Sequence, residues 1–125
     1  MINITKIHHV SFIVKDLEAS LRFYCGLLNI EKKTTRPNMP FNGAWLKIND
    51  IQEIHLLELN NPDPTENRPD HGGRDRHAAF SIQTLAPLQA ILDKNVIPYT
   101  MSLSGRAALF TRDPDGNALE FIEEA

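Results

Sequence analysis

Four side chains spread along this chain, His9, His55, His77 and Glu120, are of the types that bind divalent metal ions. Imidazole nitrogens with one carboxylate suit Zn, Mn, Fe, Ni or Co and leave coordination positions open. That arrangement serves Lewis-acid catalysis and non-haem iron oxygenases. A substrate with two neighbouring oxygens can chelate such an ion, which then stabilises an enolate, alkoxide or oxyanion as charge develops. Taken singly, each histidine has a blander reading as a hydrogen-bonded residue of a strand. The functional reading stands on the four acting jointly, so the elements that carry them have to bring them together.

Alternation places them. Read as a strand, His77-Ala78-Ala79-Phe80-Ser81-Ile82 turns His77, Ala79 and Ser81 to one face and Ala78, Phe80 and Ile82 to the other. Near the N-terminus His9, Ser11 and Ile13 share a face opposite Val10, Phe12 and Val14. In a strand from Glu53 to Leu59, Ile54 and Leu56 pack while His55 turns away. In a last strand from Asn117 to Ile122, Leu119 and Phe121 pack while Ala118, Glu120 and Ile122 look the other way. All four ligand candidates fall on the face away from the helices.

The element order is said twice. Ile7 to Val14 is a strand leading to Asp16, which caps a helix whose stripe is Leu17, Leu21, Tyr24 and Leu28, with Asn29 as its left-handed stop. A strand from Ile30 follows, then Ala44 to Ile48, a turn at Asn49-Asp50, and Glu53 to Leu59. After the Pro- and Gly-rich stretch Asn60 to Asp75 come His77 to Ile82, a helix Leu85 to Leu92 with Pro87 in its first turn, and strands Val96 to Met101, Ala107 to Thr111 and Asn117 to Ile122. Asp113-Pro114-Asp115-Gly116 fits a type I turn between the last two. His77 follows His9 by 68 positions, an offset that also aligns Phe12 with Phe80 and Leu17 with Leu85; an offset of 65 aligns His55 with Glu120. This is the signature of an internal duplication.

With 125 residues, 42% of them hydrophobic, the chain can bury one good core. A net charge of -3 and a pI near 5.9 offer no basic stripe for nucleic acid. No apolar run suits a membrane span, and Met1 to Lys6 lacks the apolar segment of a secretory signal, so a cytoplasmic protein with a small-molecule partner is expected. Cys25, the single cysteine, reads as a buried thiol rather than a nucleophile.

The stretches His9 to Glu18, Phe23-Tyr24, His77 to Phe80 and Asp113 to Phe121 resemble, in this order, the vicinal oxygen chelate superfamily of glyoxalases, bleomycin resistance proteins and extradiol dioxygenases. The resemblance implies an α+β fold: two βαβββ modules, about 5-60 and 76-125 with a linker about 61-75, forming one domain. Their mixed sheets make an open, curled cup with the helices outside. It implies a divalent metal held by His9, His55, His77 and Glu120, and a homodimer in which one chain can give the first two ligands and its partner the last two. Activities in the family are those of lyases, isomerases, thiol transferases and dioxygenases; the alternative is an antibiotic- or metabolite-sequestering protein of the bleomycin resistance type. Glyoxalase I has a glutamate where this chain aligns His55, which leaves Glu120 as the clear catalytic base. Trp45, Tyr99, Arg106 and Phe110 are candidate pocket residues, Arg106 as a clamp for an anionic group. Core packing and a surface salt bridge are their plainer readings. His8 is read as structural or exposed, and His71 as solvated.

Overall fold

The computed structural model describes residues 1–124 and divides into two compact units, Met1–Asn61 and the chain from Pro62 on. The first contains β1 (His9–Val14), α1 (Leu17–Leu21), β2 (Glu31–Lys32), β3 (Gly43–Lys47) and β4 (Glu53–Glu58), with sheet order β1-β4-β3-β2. The second contains β5 (His77–Ile82), α2 (Ala86–Lys94), β6 (Tyr99–Met101), β7 (Ala108–Arg112) and β8 (Ala118–Glu123), with sheet order β5-β8-β7-β6. Each unit is strand, helix, strand, strand, strand around a four-stranded mixed sheet, as the sequence predicts. Each first strand runs parallel to the last and at the end of its sheet.

The pairing registers repeat as well. Ser11 faces His55 across β1 and β4, and Ala79 faces Glu120 across β5 and β8; Trp45 faces His55 and Phe110 faces Glu120. These partners are related by the two offsets of 68 and 65 read from the sequence. Ala44, Leu46, Ile54 and Leu56 form the buried face of the first sheet, and Leu109, Leu119 and Phe121 that of the second.

The two helices are fastened alike. Glu58 at the end of β4 accepts from the Leu17 backbone N–H at 2.8 Å, and Glu123 at the end of β8 accepts from that of Leu85 at 2.8 Å. A carboxylate there satisfies an unpaired donor of the helix start and complements its positive end. Asp16 adds the expected cap, accepting from Ala19 N at 3.2 Å.

Two elements depart from the sequence reading. The first helix is α-helical only to Leu21 and widens into a π-helical stretch, Arg22–Leu27, where Leu28 N bonds Phe23 O at 3.0 Å. Ser20, Phe23 and Tyr24 are the buried positions of this helix. β6 begins at Tyr99 rather than Val96, because Val96 ends α2 instead. Val96 N bonds Asp93 O, Ile97 N bonds Leu92 O, and Val96 takes a left-handed φ of 55°. Asn29, with φ 59°, is the predicted stop of the first helix.

The stretch read as a linker is folded onto the second unit. Arg112 of β7 donates to Asp75, to Gly116 O at 2.7 Å and to Pro69 O at 2.6 Å, while Arg68 pairs closely with Asp75. A 3-10 turn, Gly72–Arg74, lies on Phe110; a Cβ at Gly73 would come 3.1 Å from the Phe110 ring and one at Gly72 3.2 Å from its Cβ. A side chain at either position would push on Phe110, so glycine suits this approach.

Candidate metal-binding half-sites

In the first unit the rings of Trp45, His55 and His9 form a stack on the face away from α1. Trp45 and His55 centroids are 4.5 Å apart at 9°, and His55 and His9 are 3.9 Å apart at 15°. Adjacent strands β3, β4 and β1 put one ring each at neighbouring register positions, so the stack follows from the sheet itself. His55 Nε2 lies 2.9 Å from Glu53 Oε1, and Lys33 Nζ lies 2.5 Å from Glu53 Oε2. Hydrogen bonds from Lys33 and then His55 hold the Glu53 carboxyl down to about 2. His8 is exposed and joins the ladder edge-on, its Nδ1 2.9 Å from that of His9. Burial first, and then His55 and His8, push the His9 imidazole below its ordinary value.

Stacked imidazoles are not yet a chelating pair. Lone pairs lie in the ring planes, so an ion about 2 Å from a nitrogen of one ring sits outside the plane of the other. For one ion to take both, one ring has to turn about its side-chain bonds.

In the second unit His77 Nε2 is 3.2 Å from Glu120 Oε1, and Arg106 Nη2 is 3.2 Å from Glu120 Oε2. The Glu120 side chain is 4% exposed, with Phe110 edge-on to His77 at 5.2 Å. His77 Nδ1 lies 2.8 Å from the backbone oxygen of Asp75. A carbonyl oxygen only accepts, so Nδ1 carries the proton there, and Nε2 then faces a carboxylate that also only accepts. Two acceptors around one neutral imidazole leave a gap in the bonding that positive charge at Nε2 fills, as a proton or as a divalent ion. The donor set therefore fits a cation. The carbonyl bond also fixes the tautomer that a metal-bound histidine requires.

Among the described residues no group of three or more His, Cys, Asp and Glu is gathered to hold a metal ion. The structure pairs His9 with His55 and His77 with Glu120. Of the pocket candidates, Trp45 and Phe110 stand beside these pairs and Arg106 sits on Glu120. Tyr99 does not join them: it faces Thr111 in register, on the helix side, and its hydroxyl bonds Asp93 and Gln89 of α2. His71, expected from the sequence to be solvated, is half-buried. It accepts from Gly73 N at 3.0 Å and leans on Phe110 at 4.9 Å. Cys25 is half-buried, and burial raises its thiol. The sequence reading gave Glu53 and Lys33 no role, although Glu53, two residues before His55, has the parity of the same face.

A family model described as Glyoxalase/Bleomycin resistance protein/Dioxygenase superfamily matches residues 6–121. The chain is 27% identical over 124 residues to "Glyoxylase I 4" of Arabidopsis thaliana, covering 95% of this chain and 71% of the relative. It is 30% identical over 122 residues to "Probable lactoylglutathione lyase" of Synechocystis sp., covering 92% of each. The crystal structure of a glyoxalase family protein from Bacillus anthracis superposes with a TM-score of 0.77 at 25% identity and covers the whole of both chains. With its doubled βαβββ order and a family match across nearly its full length, the chain belongs to the Glyoxalase/Bleomycin resistance protein/Dioxygenase superfamily.

Proposed function

We propose that the protein is a metal-dependent enzyme acting on a small substrate that chelates a divalent ion through neighbouring oxygens. His9 and His55 of a first unit and His77 and Glu120 of a second would hold the ion. The two units belong to one chain, acting as a single domain, or to the two chains of a homodimer in the cytoplasm. The observation that carries the reading is His77 between two acceptors, the Asp75 carbonyl and the Glu120 carboxylate.

When bound, the ion supplies a Lewis acid for the chelating oxygens. Glu120 is the one carboxylate of the set, so it is the base that takes a proton from the substrate. Arg106, with 59% of its side chain exposed, meets Glu120 through one nitrogen and has guanidinium donors left to orient an anionic group. Trp45 and Phe110 wall the two half-sites with aromatic surface. Both named relatives favour glyoxalase-type lyase chemistry, whereas an imidazole at position 55 in place of a second carboxylate favours a reaction with a single base.

Metal analysis of the purified protein tests this, followed by titration of the metal-free protein with Zn, Mn, Fe, Ni and Co. Tight uptake is expected, lost in His77→Ala, and Ni or Co should quench the fluorescence of Trp45, the single tryptophan, through His55. A chain that takes up none of these ions refutes the proposal. The flat Trp45, His55 and His9 stack favours one second reading, sequestration of a planar antibiotic or metabolite, as bleomycin resistance proteins do. On that reading ligand binding survives His77→Ala.

A further inference from the structure

We propose that Glu53, itself held by Lys33, is a positioning residue that makes His55 present Nδ1, and not Nε2, as its ligating nitrogen. The inference rests on the metal-binding reading above. Glu53 Oε1 stands 2.9 Å from His55 Nε2, and Lys33 Nζ stands 2.5 Å from the other oxygen. The side chains of His55 and Glu53 are only 12% and 17% exposed, so water competes weakly for these bonds. An ionised carboxylate only accepts, which fixes the proton on Nε2 and leaves the lone pair of the neutral ring on Nδ1. Trp45 and His9 cover the two ring faces, so a ligand reaches His55 only at its edge.

The sister half shows that the pair is not a by-product of the duplicated fold. The offset of 65 puts Ala118 where Glu53 stands, and Thr100 pairs with Phe110 as Lys33 bonds Trp45. Neither replacement supplies a charged group, and that half carries Glu120 where this one carries His55. The charged pair thus accompanies the imidazole. His77 differs from His55 in having an acceptor at each nitrogen, the Asp75 carbonyl at Nδ1 and the Glu120 carboxylate at Nε2.

Long-range ¹H–¹⁵N correlation spectra of the metal-free protein, at a pH where imidazoles are neutral, read the tautomers directly. The expected result is Nε2–H for His55. Glu53→Ala should convert His55 to a mixture and weaken zinc binding, measured by chelator competition, by about 10- to 100-fold, with Glu53→Asp restoring part of both. Lys33→Met, which leaves Glu53 in place, should shift both readouts in the same direction by less, and it serves where Glu53→Ala fails to fold. An Nδ1–H tautomer of His55 in the native protein, or variants that leave both tautomer and zinc affinity unchanged, overturns the inference. Native protein that shows the expected tautomer and takes up no zinc overturns the metal reading and leaves the positioning by Glu53 standing.

Discussion

Replacing Val96 by asparagine should stabilise the second unit. Val96 sits at the left-handed position that closes α2, with φ 55°, and is 88% exposed. An L-residue in that region costs roughly 1–2 kcal/mol, and a β-branched one tolerates it worst. Asparagine relieves part of this cost, and so exposed a valine forfeits almost no packing when removed. The sister helix already ends this way at Asn29, with φ 59°. A gain of about 1 kcal/mol follows, which for 125 residues is roughly 3–6 °C in Tm. Urea unfolding followed by circular dichroism measures it as a higher midpoint at unchanged slope. The reciprocal Asn29→Val should lower stability by a similar amount. A Val96→Asn protein no more stable than the native one, or an Asn29→Val protein that loses nothing, refutes the strain argument.

Ser20 is wholly buried and its hydroxyl has no hydrogen-bond partner among the described residues, so Ser20→Ala should gain up to about 1 kcal/mol in urea unfolding. Glu58→Gln and Glu123→Gln each weaken the bond to a helix start and should cost about 0.5–1 kcal/mol, read as a lower midpoint. Hydrogen bonds from Arg68 first, and then Arg112, hold the Asp75 carboxyl well below its ordinary 3.8. Because the folded value is the lower one, this stabilisation is present above about pH 4 and is lost as pH falls below it. Asp75→Asn should therefore flatten the acid limb of the stability profile of the metal-free protein, and an unchanged limb counts against the pairing.

Much of the fold was legible because two periodicities carry it. Alternation at His9 to Val14 and His77 to Ile82 set the strand faces, and the two offsets carry the pairing seen in one half, Ser11 with His55, onto that of the other, Ala79 with Glu120. Alternation assigns a residue to a face and says nothing of its partner along that face. The Lys33, Glu53 and His55 chain, reaching across β2 and β4, was therefore missed. Tyr99 was misplaced because it was chosen for its aromatic ring, without the pairing with Thr111 that sets its face, and β6 was started too early because a left-handed turn at Val96, unexpected for a β-branched residue, closes the helix there. The π-helical widening at Arg22–Leu27 escaped notice because a helical stripe fits Leu17, Leu21, Tyr24 and Leu28 whether or not one turn of the backbone is wider. The packing of Gly72 and Gly73 on Phe110 was hidden behind a composition that reads as a loose connection.

The twin glutamates have a further consequence. Glu58 reaches back 41 positions to Leu17 and Glu123 reaches back 38 to Leu85, so each half buckles its own end to its own beginning. A break in the chain between Asn61 and Pro62 would therefore leave both of these fastenings unbroken.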